Sequence, residues 1–189
     1  MVMNTRLKSG ISKFFNTALF CLLLLAGTEG DAFAVAPVAA LNTPAPAFSA
    51  VTLDGKAIGS AQLAGKAYIV NFFASWCPPC RAEIPDMVAL QNQYSRNGFT
   101  FIGIAVNETA PTIKSFITGN RISYPVVMSD DQLLGSFGRF VPDGQIKAIP
   151  TSFVVNASGR VTQVITGGKS KAEFEKIILA ALKKPVKVK

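Results

Sequence analysis

The stretch NFFASWCPPCRAEIPDM, Asn71 to Met87, most constrains what this chain can fold into. An apolar run ends at two cysteines spaced three apart, with two prolines between them, and helical periodicity follows. The chain has three cysteines and no histidine. A structural zinc site needs four nitrogen or sulfur ligands, which Cys77 and Cys80 alone cannot supply, and a histidine-plus-cysteine copper site is excluded in the same way. A small secreted scaffold held by disulfides needs more than one pair. A bridge between Cys77 and Cys80 closes so short a ring that it removes little entropy from the unfolded chain. What remains for the pair is redox chemistry, with no cofactor required.

The third cysteine, Cys21, lies in a segment of different character. Met1 to Lys13 carries Arg6, Lys8 and Lys13 without an acid, the apolar run FFNTALFCLLLLA follows, and Ala32 to Ala34 reads AFA. That order of charged, apolar and small-residue regions is the pattern of a secretory signal. The apolar part is shorter than the ~20 residues of a spanning helix, so cleavage after Ala34 is expected, with a retained anchor as the other reading. Loss of Arg6, Lys8, Lys13, Glu29 and Asp31 would leave 16 basic and nine acidic residues, a net +7. Four of those charges sit in the tail KKPVKVK, and the remainder describes a mildly basic surface with no nucleic-acid groove.

Along the rest of the chain, residues 35–46 are Ala/Pro-rich and read as an extended lead-in. FSAVTLDGKAIG predicts a hairpin about Asp54-Gly55. YIVNFFA and FTFIGIAV are continuous apolar runs, as expected of strands buried on both faces. Between them Ile84, Met87, Val88, Leu90 and Tyr94 mark one side of a helix stopped by Gly98. PTIKSFITGN and DQLLGSFG predict two further helices, YPVVMS a short strand, and PTSFVVNASGRVTQVIT an antiparallel hairpin. Asp130-Asp131 reads as a solvated turn or a helix cap. SKAEFEKIILAALKK closes the chain with an amphipathic helix. The order implies an α/β fold with a mixed central sheet flanked by helices, preceded by the small hairpin. GGKS at Gly167 to Ser170 is no phosphate loop, because Gln163 stands where a glycine is required.

A cysteine pair at a helix start directly after a buried strand has a defined reactivity. The free N–H groups and the dipole favour a thiolate at the first sulfur, which makes Cys77 the nucleophile and the less exposed Cys80 the resolving thiol. Trp76 and Pro78 are expected to form an apolar rim around an exposed Cys77 sulfur.

WCPPC after an apolar strand, with IPTSFVV seventy residues later, resembles the thioredoxin superfamily. The nearer branch is the exported TlpA/ResA-like thiol–disulfide oxidoreductases, close to the cytochrome c maturation thioredoxins. Pro85, Ile149-Pro150 and Gly167-Gly168 fit the same pattern, which covers roughly Asn42 to Leu182. The resemblance implies a thioredoxin-like domain over residues 47–183, with the leader at 1–34 and a basic tail at 184–189. It implies a cis bond at Ile149–Pro150, client binding by Trp76, Pro78, Ile149 and Pro150, and proton handling by Glu83, three residues after Cys80. Glu83 is otherwise an ordinary exposed acid of a first helical turn. Cytosolic thioredoxins carry a buried Asp where this chain has Asn71. The segment Gly138 to Ala148 is longer than the usual connection to the cis-proline.

The activity so implied is exchange of client protein disulfides through a mixed disulfide at Cys77. Pro78 and Pro79 remove two N–H donors near that sulfur, so the thiolate is less stabilised and the pair more reducing. The expected partners are cysteine-containing clients, apocytochrome c among them, and a membrane electron donor of thiol–disulfide type. No nucleic acid is expected, and the protein should be a monomer. Two rival readings are a peroxiredoxin-type peroxidase and a non-catalytic binding module. The first wants a Thr where Ala74 stands; the second would not need both cysteines and the proline.

Overall fold

Strands form here where apolar runs are bounded by glycine, proline or short polar turns, and the longest such run builds the centre of the sheet. The computed structural model describes residues 42–183. Its six-stranded sheet runs in the order β1-β8-β7-β4-β5-β6. The strands are β1 (Thr43–Pro44), β4 (Ala67–Phe73), β5 (Phe99–Ala105), β6 (Val126–Met128), β7 (Thr151–Val155) and β8 (Arg160–Thr166). β4 is parallel to β5 and antiparallel to β7, so the sheet is mixed. β2 (Ser49–Val51) and β3 (Ala57–Gly59) form a separate antiparallel pair. Its turn places Gly55 at φ 85°, a conformation that costs glycine little.

Helices α1 (Pro78–Tyr94), α2 (Ala110–Gly119), α3 (Asp131–Gly138) and α4 (Lys171–Leu182) cover the sheet. Every residue of β4 is buried, and its alternate side chains enter two cores. Ala67, Ile69 and Phe73 join Ile84, Met87 and Leu90 of α1, Ile113 and Phe116 of α2, and Phe174 and Ile178 of α4. Tyr68, Val70 and Phe72 face Leu133 and Phe137 of α3 on the other side. One position of the first face is polar: Asn71 is buried between Ile69 and Phe73.

Two local details depart from the sequence reading, and a third decides between two of its alternatives. Thr43–Pro44, assigned to the lead-in, pair with Val161 and Arg160 and become the outermost strand. Gln91 on α1 is buried and accepts the Phe101 N–H, a donor that the short β6 leaves without a strand partner. Asp130 is the cap of α3, its carboxylate accepting the Leu133 N–H at 2.7 Å. The expected leader with Cys21, most of the lead-in and the basic tail lie outside the described residues. Among those described, no helix is long and apolar enough to cross a membrane.

Candidate active site

β4 ends at Phe73 and the chain turns through Ala74, Ser75 and Trp76 into α1. Cys77 has extended dihedrals (φ −81°, ψ 112°) and is the N-cap of that helix. Pro78 and Pro79 occupy the first two helical positions, where their lack of an N–H costs no intrahelical bond. The first donor available to the cap is therefore the Cys80 N–H, which points at the Cys77 sulfur from 3.4 Å. Cys77 and Cys80 are joined as a disulfide.

The structure brings most of the expected site residues together. The Ile149–Pro150 bond is cis, and the Ile149 carbonyl oxygen lies 3.8 Å from the Cys77 sulfur. Trp76 is 59% exposed and Pro78 is also exposed beside the disulfide. Cys77 itself differs from expectation, being only 3% exposed. The cause is local: in the oxidised state its sulfur is bonded back to the buried Cys80 and lies close to the carbonyl before β7. The rim around it is apolar, but the sulfur it surrounds is recessed.

Glu83 is a buried acid, not the exposed one that its place near the helix start allowed. It lies one turn beyond Cys80, on the side of α1 that meets β4 and the turn before α4. Oε1 accepts from Asn71 Nδ2 at 2.9 Å and Oε2 from the Lys169 N–H at 3.1 Å. Its hydrogen bonds thus go to the protein frame and not to a sulfur. Burial pushes the carboxyl up to about 7, against the opposing pull of the Asn71 and Lys169 donors and the Lys169 charge. An acid poised near neutrality behind a disulfide can hold or release a proton within the physiological range.

A second acid, Glu108, was not legible in the sequence. It stands between β5 and α2 and accepts both the Ser75 N–H, at 2.6 Å, and the Ser75 hydroxyl. Arg81 of α1 donates to the Ser75 carbonyl oxygen at 3.0 Å and lies over the Phe116 ring. All three polar groups of Ser75 are held by side chains from elsewhere, two residues before the cap. Only the sequence distance of 33 residues hid the pairing of Glu108 with Ser75.

The segment Gly138 to Ala148 is fastened, not free. Phe140, Val141 and Ile146 pack against the second core, and Asp143 pairs with Lys147 at 2.8 Å. Gly138 is required there, since a Cβ would lie 2.4 Å from the Gly144 carbonyl oxygen.

Known proteins place this geometry. The Redoxin family matches residues 40–178. The thiol–disulfide oxidoreductase ResA of Bacillus anthracis is 31% identical over 160 residues, covering 82% of this chain and 88% of that protein. The crystal structure of a thiol:disulfide interchange protein of the thioredoxin family from Chlorobium tepidum TLS is 56% identical. It covers 75% of this chain and 97% of its own, with a TM-score of 0.73. A secreted Mycobacterium tuberculosis disulfide oxidoreductase homologous to E. coli DsbE is 25% identical, with a TM-score of 0.58, covering 70% of this chain and 95% of its own. The chain belongs to the Redoxin family, and it is a TlpA/ResA-like thiol–disulfide oxidoreductase of the thioredoxin superfamily.

Proposed function

We propose that this oxidoreductase is exported and works as a reductant of client protein disulfides. The observation that carries the reading is the cysteine pair at the cap of α1, with one N–H donor at 3.4 Å and a carbonyl oxygen at 3.8 Å from Cys77. A thiolate formed there has little to stabilise it: two prolines take away donors, and the Ile149 oxygen presents negative charge. Poor stabilisation of the reduced thiolate corresponds to a low reduction potential.

In the forward reaction the Cys77 thiolate attacks one sulfur of a client disulfide and forms a mixed disulfide, and the client's other sulfur leaves as a thiolate. Cys80 then gives its proton to the Glu83 carboxylate and attacks the Cys77 sulfur. The second client thiolate leaves, and the protein is left with the Cys77–Cys80 disulfide. Two electrons have passed to the client. A membrane donor of thiol–disulfide type restores the dithiol. Trp76, Pro78, Ile149 and Pro150 form the surface against which the client lies.

Export is supported by the leader pattern of Met1 to Ala34 and by the secreted mycobacterial relative. The thiol–disulfide oxidoreductase relatives support cysteine-bearing clients in general; apocytochrome c as the first of them, and action as a monomer, are part of the proposal. Equilibration with glutathione tests the direction. The potential should lie near the ~−270 mV of thioredoxin, and a value above roughly −180 mV would sink the reductant assignment. Cys80→Ser should trap the client as a mixed disulfide in cells, identifying it directly.

A further inference from the structure

Asn71 and Ser152 stand directly opposite each other on β4 and β7, with both side chains buried on the face covered by α1 and α4. Their neighbours on that face, Ile69, Phe73 and Val154, are apolar core residues. Asn71 Nδ2 has two hydrogens and spends both, one on Glu83 Oε1 at 2.9 Å and one on Ser152 Oγ at 3.0 Å. Fold stability gives little reason for such a pair, since replacing two buried hydrogen-bonded partners by apolar groups of similar shape is often neutral or stabilising. The pair instead fixes which way the amide faces. With Ser152 holding one hydrogen, the other is aimed at the Glu83 carboxylate.

We infer that Asn71 and Ser152 are a positioning pair for Glu83, fixing one oxygen of its carboxylate one helical turn beyond the resolving cysteine and favouring the form that accepts a proton. The inference rests on the reading of Glu83 as the group that takes the Cys80 proton, and it assigns the tuning of that acid to two neutral residues of the sheet. The titratable and charged groups around Glu83 are Cys80 and Asp86 on α1, Lys169 in the turn before α4, and Tyr124 before β6, whose hydroxyl burial and Glu83 both raise. β4 and β7 present no charge to it. Changes at Asn71 and Ser152 therefore alter hydrogen bonding while leaving every charge around Glu83 in place. Donors to a carboxylate favour the anion, so their loss must raise the proton affinity of Glu83.

The test is a ¹³C-carboxyl NMR titration of the full-length protein, with the Glu83 signal assigned from its absence in Glu83→Gln. Asn71→Leu should raise the Glu83 midpoint by about one pH unit, a tenfold change in proton affinity. Ser152→Ala should raise it by less, and it keeps the test alive if Asn71→Leu does not fold. The pH profile for oxidation of the reduced protein should move upward in parallel, and this movement should vanish in a Glu83→Gln background. An unmoved or lowered midpoint in the folded variants overturns the positioning pair. A raised midpoint supports it even if Glu83→Gln leaves the exchange kinetics unchanged, a result that would instead remove Glu83 from the proposed reaction.

Discussion

Burial of a single carboxyl, Glu83, pushed up to about 7, ties the stability of this protein to pH. The proton affinity of Glu83 is higher in the folded protein than in the unfolded chain, where the ordinary value of 4.5 applies. The folded state therefore binds the proton more tightly, and the associated stability is fully present below pH ~4.5 and lost as pH rises through ~7. The amount at stake is on the order of 3 kcal/mol. Glu83→Gln should be the more stable protein at pH 8 by part of that amount, with the difference shrinking toward pH 4.5; urea denaturation at the two pH values measures it. The same variant should slow disulfide exchange at neutral pH, read by stopped-flow through Trp76 fluorescence. For the cysteines, the reduced protein should be alkylated rapidly at Cys77 alone. Cys80 lies inside the helix with no exposed surface, and equal labelling of the two would contradict the assigned roles. Glu83 was visible in the sequence because its spacing from Cys80 matched a known branch. Ser152 was not, since a serine two residues after a proline in an apolar run looks like any other strand residue.

The turn that joins β4 to α1 is short, and its geometry comes from groups outside it. Glu108 and Arg81 clamp Ser75, so the direction in which Trp76 and Cys77 leave the sheet depends on two side chains of other elements. Glu108→Ala should slow the reaction of Cys77 with a small disulfide several-fold, whereas Glu108→Gln, whose carbonyl oxygen still accepts from Ser75, should retain most of the rate. Equal losses in both variants would show that charge, and not the clamp, is what matters. Sequence reasoning found β4, β5, β7, β8 and the four helices because each has its own periodic or continuous apolar signal. It carried α1 correctly through Pro85, which the helix contains. β1 escaped it: two residues, one of them proline, have no pattern of their own. Their place is fixed by distant partners, including the Arg160 guanidinium that donates to Asn42.

At the scale of the molecule, the sheet separates two cores with different tasks. The one under α1 and α4 carries the polar inset of the site. The other is closed by aromatic rings, with Phe137 centred 5.9 Å from Phe48, 5.7 Å from Phe72 and 5.1 Å from Phe153. Phe137→Ala should cost about 3–5 kcal/mol of stability, measured by denaturant titration, and leave the reduction potential where it was. Which rings would meet was hidden in the sequence, because α3 shows only that Leu133 and Phe137 share a face. The outer strands have a consequence for how other chains approach. Pro44 has no N–H to offer a newcomer, and the carbonyl of Val126 is already taken by the Leu53 N–H at 2.9 Å. Both margins of the sheet are thus poor templates for strand addition, which guards the protein against self-association. Ile149 lies two residues before the β7 ladder, beside Cys77. An extended polypeptide seeking backbone partners is discouraged at the periphery and left with a foothold where its own cysteine can react.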